Sequence, residues 1–337
     1  MPGTRHARQP FDLESLRVFN AYEPRQQLID RERSTNAQND TIPGEARVTV
    51  LSWEPRILLV DDFLSEREAD EIVAIAGALD FRAMGVVQQD GTSALVDNTA
   101  TSTIADLPQD HAAVRGLRAR ISQLSHLPLK WYEPLKGLNY TEGAYFRGHL
   151  DGHAQPHART FSRVATAIVF LSDVDSGGET HFPLAVSASG VGDRVPATCA
   201  GFEGKDARVQ SAAALAAYED GSALDGAELL SEPAGALGVT VRPQRRRAVL
   251  WWNRDADGAL ALRSRHVGCP VVRGRKLVAT QWMHSKPLPC DDDRSYGAAL
   301  CGQWAAAGEC AANPGFMRTS CAQSCGLCSE HTSEEAG

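Results

Sequence analysis

No stretch of this sequence approaches the roughly 18 consecutive apolar residues that a membrane-spanning helix requires. The longest candidate, residues 164–171, has only the length of a strand. Positive charge is also short: 34 Lys and Arg stand against 42 Asp and Glu, a formal net charge of −8. Nucleic-acid binders normally carry a basic face, so that class of partner is disfavoured. The first 30 residues hold Arg and His but no apolar segment of the signal-peptide kind. No internal repeat is visible. Cysteine is scarce until late, with two of eight preceding Cys290. What remains, 43% apolar and 23% charged residues over 337 positions, is ordinary for a globular chain of one large domain plus a small module.

Residues 1–45 are polar and read as a disordered or loosely attached arm. Residues 46–287 read as the main domain. It opens strand–turn–strand over residues 48–65. Ser65 followed by Glu68 forms a capping box that predicts a helix, and a second helix is predicted near residues 110–125. From Lys130 onward short runs rich in aromatic and β-branched residues alternate with turn signals. This predicts a mainly β core braced by helices, an α+β chain with a barrel or double-sheet centre. The segment from His266 to His284 reads as two strands around Gly274. Residues 186–236, dominated by Ala, Gly, Ser, Asp and Glu, read as an inserted loop with a short helix near 212–218.

His149-Leu150-Asp151 carries the first chemical signal. On a strand, residues i and i+2 share a face, so both could reach one metal ion. Two histidines and one carboxylate leave three positions of an octahedron open, as non-haem Fe(II) oxygenases require. His153 and His157 offer a competing local cluster, and a histidine two residues from an aspartate also arises by chance. His266 is the best third ligand. Lys276, ten residues further, shares a strand face with Val278, Thr280 and Trp282, away from Arg273 and Arg275. A lysine directed into an apolar barrel needs an anionic partner, and a dicarboxylic acid would supply one. A lysine with its head in water is the alternative.

In order, Tyr140 to Asp151, Arg163 to Leu171 with Thr166 inside it, Gly177 to Pro183 with Thr180 inside it, His266 to Lys276, and Trp282 resemble the prolyl 4-hydroxylase catalytic domain of the 2-oxoglutarate oxygenases. The resemblance spans roughly residues 48–285 and implies a double-stranded β-helix, or jelly roll. It implies iron ligands His149, Asp151 and His266, and Lys276 paired with the distal carboxylate of 2-oxoglutarate. Tyr140 and Thr180 would hydrogen-bond the same cosubstrate, with Trp282 and Arg163 near the site. The implied reaction couples oxidative decarboxylation of 2-oxoglutarate by O2, giving succinate and CO2, to 4-hydroxylation of proline in a peptide or protein, with L-ascorbate rescuing oxidised enzyme. Two features depart from the family pattern. The stretch from Pro183 to Val239 is long, and Arg245-Arg246-Arg247 stands where a Lys-Gly-Asp turn is common; it reads as a solvated basic turn.

Six cysteines crowd residues 290–328, a density typical of disulfide-stapled modules. A zinc site is the alternative, but two CxxC pairs are lacking. The pattern resembles a ShKT domain, which implies bridges Cys290–Cys328, Cys301–Cys321 and Cys310–Cys325. Met317 is followed by Arg318 and Thr319 rather than the Lys-Tyr pair of channel blockers, which points to an accessory role. Residues 329–337 form an acidic tail. Cys199 and Cys269 either bridge or remain two buried thiols. The disulfides imply the endoplasmic reticulum or secretory pathway. Other readings are a related oxygenase acting on another residue or a small molecule, and a silent binding protein. Nothing in the sequence specifies an oligomeric state.

Overall fold

The computed structural model describes residues 46–84, 86–87, 93–94, 100–152, 163–193, 196–199, 238–286, 297–313, 317 and 320–326. The arm 1–45, the expected helix near 212–218, most of the insertion, His153, His157, Cys290, Cys328, Arg318, Thr319 and the tail lie outside the described residues.

The described strands are β1 (Arg47–Glu54), β2 (Arg56–Asp61), β3 (Arg82–Ala83), β4 (Val86–Val87), β5 (Ser93–Ala94), β6 (Thr103–Asp106), β7 (Lys136–Tyr140), β8 (Phe146–His149), β9 (Arg163–Phe170), β10 (Ser176–Gly177), β11 (Thr180–Phe182), β12 (Val186–Ser187), β13 (Val239–Val241), β14 (Ala248–Trp252), β15 (His266–Gly268), β16 (Val271–Arg273) and β17 (Lys276–His284). The helices are α1 (Glu66–Gly77), α2 (Ala112–Ser125), α3 (Gly297–Ala306) and α4 (Glu309–Ala312).

A nine-stranded sheet runs β12-β1-β2-β14-β9-β17-β7-β6-β3, and a four-stranded sheet runs β13-β11-β15-β8. Every pairing within them is antiparallel. The two sheets enclose one buried cluster that includes Tyr140, Phe146, Phe170, Phe182, Trp251, Val278 and Trp282. The opposite face of the large sheet packs Leu277, Ala279 and Met283 of β17 against Ala69, Ile72 and Ala76 of α1 and Leu117, Ile121 and Leu124 of α2. Strand periodicity explains the split: alternate residues of β17 serve alternate cores. This is the expected jelly roll braced by helices on its outer face.

α1 starts where the capping box places it. The Ser65 hydroxyl accepts from Glu68 N, and the Glu68 carboxylate accepts from Ser65 N at 2.8 Å. The same carboxylate takes both amino nitrogens of buried Arg120 from α2, at 2.5 and 3.1 Å, while Arg120 also donates to the Phe63 carbonyl. One glutamate therefore caps one helix and fastens the other.

Three expectations need correction. The segment after His266 forms three strands. Pro270 carries no N–H and ends β15, which stays in the small sheet, while β17 crosses to the large one. Arg273 consequently lies on β16, not β17. The insertion begins with β12, which pairs with β1, so its first residues belong to the large sheet. Arg245-Arg246-Arg247 is no solvated turn: Arg245 donates to Asp70, Arg246 to Leu64 O and Glu66, and Arg247 to Asp61. The three guanidiniums tie the start of β14 to the β2–α1 corner.

Candidate active site

Register assembles the site. His149 and His266 are direct cross-strand partners on β8 and β15. Lys276 and Tyr140 are partners on β17 and β7, and Thr180 pairs with Gly268. Directly opposed residues have Cβ atoms only about 5 Å apart. Distant segments of the chain thereby meet in one pocket lined by Tyr140, His149, Asp151, Thr180, His266, Lys276 and Trp282, among others.

Asp151 departs from the expected placement. β8 ends at His149, and Asp151 sits in the bend that follows. The bend swings its carboxylate between the two imidazoles, with Oδ1 3.5 Å from His149 Nε2 and Oδ2 3.9 Å from His266 Nε2. One ligand atom from each of the three residues lies within 4.8 Å of the others.

The surroundings fix each donor. His149 Nδ1 lies 2.8 Å from Arg147 O, and His266 Nδ1 3.0 Å from Ser264 O. A proton donated from Nδ1 to a carbonyl leaves the Nε2 lone pair free for a metal, the usual second-sphere arrangement. Burial and the neighbouring His149 lower the His266 pKa to about 4, so its ring is neutral at physiological pH. Burial alone would raise the Asp151 pKa, but His266, His149 and Arg163 outweigh it and hold the carboxyl well below the usual range. Thr166 donates to Asp151 Oδ2 at 2.7 Å, and Asn253 donates to the Thr166 hydroxyl at 3.0 Å. Phe146 stacks on His149, and Trp251 meets His266 edge-on.

Lys276 closes the other end. It is 2% exposed, forms no ion pair with a described residue, and has its Nζ 3.4 Å from Thr180 Oγ1 and over the rings of Tyr140 and Phe170. Burial lowers its pKa to about 7, against the opposing pull of the Glu179 charge. Burial also raises the Tyr140 pKa, so its phenol stays protonated and can donate. Thr280 Oγ1, Trp251 Nε1 and Trp282 Nε1 line the same pocket as buried polar atoms without a protein partner. Lone pairs at one end, an unpaired ammonium at the other and unsatisfied polar atoms in between suit a metal-chelating anion.

A second layer stands behind Asp151. Arg163 makes a two-point contact with Glu133 at 2.5 and 2.9 Å, reaches Asp151 O at 3.5 Å, and lies 4.3 Å over the Trp282 ring. His284 Nε2 donates to Glu133 at 2.8 Å. Burial would raise the Glu133 pKa, but Arg163 and His284 hold it well below the ordinary value. Sequence reasoning found Arg163 and Trp282 here but missed Thr166, Asn253, Glu133 and His284 as supports. The period-2 alternation of β9, which turns Thr166 and Ile168 inward, was the signal for the first of them.

A jelly roll whose open pocket places two histidines and a carboxylate opposite a buried lysine has the form of a non-haem oxygenase. Comparison with known proteins gives the same answer. Residues 135–284 match the 2OG-Fe(II) oxygenase superfamily, and residues 289–328 match the ShK domain-like family. Prolyl 4-hydroxylase 5 of Arabidopsis thaliana is 30% identical over 259 residues, covering 76% of this chain and 77% of the relative. Probable prolyl 4-hydroxylase 7 of the same plant is 28% identical over 295 residues, covering 84% and 83%. Among solved structures, the viral collagen prolyl hydroxylase from Paramecium Bursaria Chlorella virus-1 in its 2OG complex is 18% identical, with a TM-score of 0.40, covering 67% of this chain and 94% of that one. The chain belongs to the prolyl 4-hydroxylase family of the 2OG-Fe(II) oxygenases. It is an Fe(II)- and 2-oxoglutarate-dependent dioxygenase carrying a C-terminal ShK module.

In that module Cys301–Cys321 and Cys310–Cys325 are bridged, as the resemblance implied. Cys301, Cys321 and Met317 form its buried centre. Cys199 and Cys269 are bridged as well.

Proposed function

We propose that this chain hydroxylates C4 of prolyl residues in a peptide or protein, with His149, Asp151 and His266 holding Fe(II) and Lys276 receiving the distal carboxylate of 2-oxoglutarate. The observation that carries this reading is the convergence, in one pocket, of the three-donor cluster and a buried lysine without an ion-pair partner among the described residues. With iron and cosubstrate bound, O2 oxidatively decarboxylates 2-oxoglutarate to succinate and CO2, and the second oxygen atom enters the substrate C–H bond.

The protein's own residues prepare that chemistry. Arg147 O and Ser264 O hold the imidazole tautomers, and Thr166 holds the Asp151 carboxylate. Lys276, Tyr140 and Thr180 bind and orient the cosubstrate's far end, while Trp282 and the Arg163–Glu133 pair shape the wall beside Asp151. Phe146 and Trp251 shield the metal end from water. L-Ascorbate would keep the iron ferrous between turnovers. The bridged cysteines fit an oxidising compartment, which supports the secretory pathway as the location. No described helix is long and apolar enough to cross a membrane.

The test is direct. The protein is incubated with Fe(II), 2-oxoglutarate, ascorbate and proline-rich peptides, then assayed for succinate and for addition of one oxygen atom to proline by fragment-ion mass spectrometry. Matched succinate and hydroxyproline are expected. Succinate without peptide oxidation would remove the prolyl substrate, and no succinate with iron bound would remove the catalytic reading.

A further inference from the structure

Behind the Lys276 end of the pocket, a single helical turn, Ala197–Cys199, is cross-linked to the loop that leaves β15. The bridge between Cys199 and Cys269 is fully buried against Val267. Its two sides grip the same residue. Cys269 N donates to Glu179 O at 2.8 Å, and the neighbouring Pro270 O accepts from Gly178 N at 2.9 Å. From the other side, Thr198 donates its hydroxyl to Glu179 Oε2 at 3.0 Å. Glu179 immediately precedes Thr180, which contacts Lys276, and its charge favours the protonated Lys276.

We infer that the Cys199–Cys269 disulfide is a positioning element for cosubstrate recognition: it locks Ala197–Cys199 so that Thr198 holds the Glu179 carboxylate away from the Lys276 ammonium. This rests on Lys276 being the cosubstrate's partner. Thr180, the first residue of β11, lines the pocket, while Glu179 just before it is absent from that lining and turns its carboxylate to Thr198. A three-residue helical turn has little rigidity of its own, and a single side-chain hydrogen bond near the surface contributes only about 1 kcal/mol net. The cysteines are 70 residues apart in sequence, and apart from the bridge and the Thr198 bond the nearest described anchor of the turn is Asp193, which bonds Gly238 and Thr240 rather than the Glu179 segment. Once released, Glu179 becomes a competitor for Lys276, because its carboxylate offers the same group as the cosubstrate. Cosubstrate affinity then falls while the metal ligands remain in place.

The test compares wild type, the Cys199→Ser/Cys269→Ser double variant and Thr198→Val, which keeps the disulfide. Both variants should raise KM for 2-oxoglutarate about fivefold, the equivalent of losing one such hydrogen bond, with kcat at saturating cosubstrate and iron affinity unchanged. In the metal-free protein, amide exchange at Gly178 and Cys269 should quicken in the double variant only. Adding Glu179→Gln to Thr198→Val should restore most of the lost affinity. Unchanged KM in Thr198→Val overturns the inference even if the double variant fails to fold. A double variant that loses only thermal stability reduces the bridge to a structural staple. A wild type that neither binds nor consumes 2-oxoglutarate removes the reading of Lys276 itself.

Discussion

At His266, one ring nitrogen directed at the Ser264 carbonyl and the other facing the buried Asp151 carboxylate make the difference between a core histidine and a ligand. Removing it (His266→Ala) should abolish iron retention and turnover together, measured by metal analysis and succinate formation. Thr166→Val should be subtler: it strips the donor that aims Asp151 and should lower iron affinity by about 10- to 100-fold, the usual effect of losing a second-sphere partner. Lys276 makes a pH prediction whose sign is fixed by burial. Its pKa near 7 means the free site loses its cation as pH rises. KM for 2-oxoglutarate should therefore climb above pH 7, by up to about tenfold per pH unit, and Lys276→Met should flatten that profile at a uniformly high KM. The sequence revealed the ligands and Lys276 because each lies in a short motif with a recognisable order. It concealed Asn253, Glu133 and His284, because their roles depend on which strands become neighbours, and register is not written in local spacing.

Helices and strands tell a similar story one level up. The capping box at Ser65 was readable because its two partners lie three residues apart. The ion pair from Glu68 to Arg120 was not, since it joins positions 52 residues apart. Burial would raise the Glu68 pKa, but Arg120 and the Ser65 bonds lower it to about 2. A depressed carboxyl contributes stability above its unfolded value, near 4.5, and loses that contribution as pH falls toward 2. Thermal unfolding of wild type should thus weaken more steeply between pH 4.5 and 2 than that of Arg120→Met. The split between β15 and β16 at Pro270 is absent from the reading of this segment as two strands around Gly274. Gly177, at φ +78°, explains why the chain tolerates it: a Cβ there would overlap Pro270 O. Gly177→Ala should cost at least about 2 kcal/mol in urea unfolding, from left-handed backbone strain plus that overlap.

For the whole molecule, one sheet does two jobs. Its outer face buries α1 and α2 and supplies the core, while its inner face, with the four-stranded sheet, supplies the pocket. β17 contributes to both along its nine residues, with Lys276 and Trp282 inward and Leu277, Ala279 and Met283 outward. The all-β centre was legible from short alternating segments; the closure that brings β8 against β15 and β7 against β17 came only with the structure. Among the described residues, the buried centre of the ShK module is made of its own Cys301, Met317 and Cys321, with two of its bridges alongside. The most direct measurement is an anaerobic titration of 2-oxoglutarate into the Fe(II)-loaded protein, followed by the visible charge-transfer absorption of an iron-chelated keto acid. Wild type should develop the band at one equivalent, Lys276→Met should require at least about tenfold more cosubstrate, and His266→Ala should show none. Iron-loaded wild type without the band, or His266→Ala with it, would contradict the assigned site.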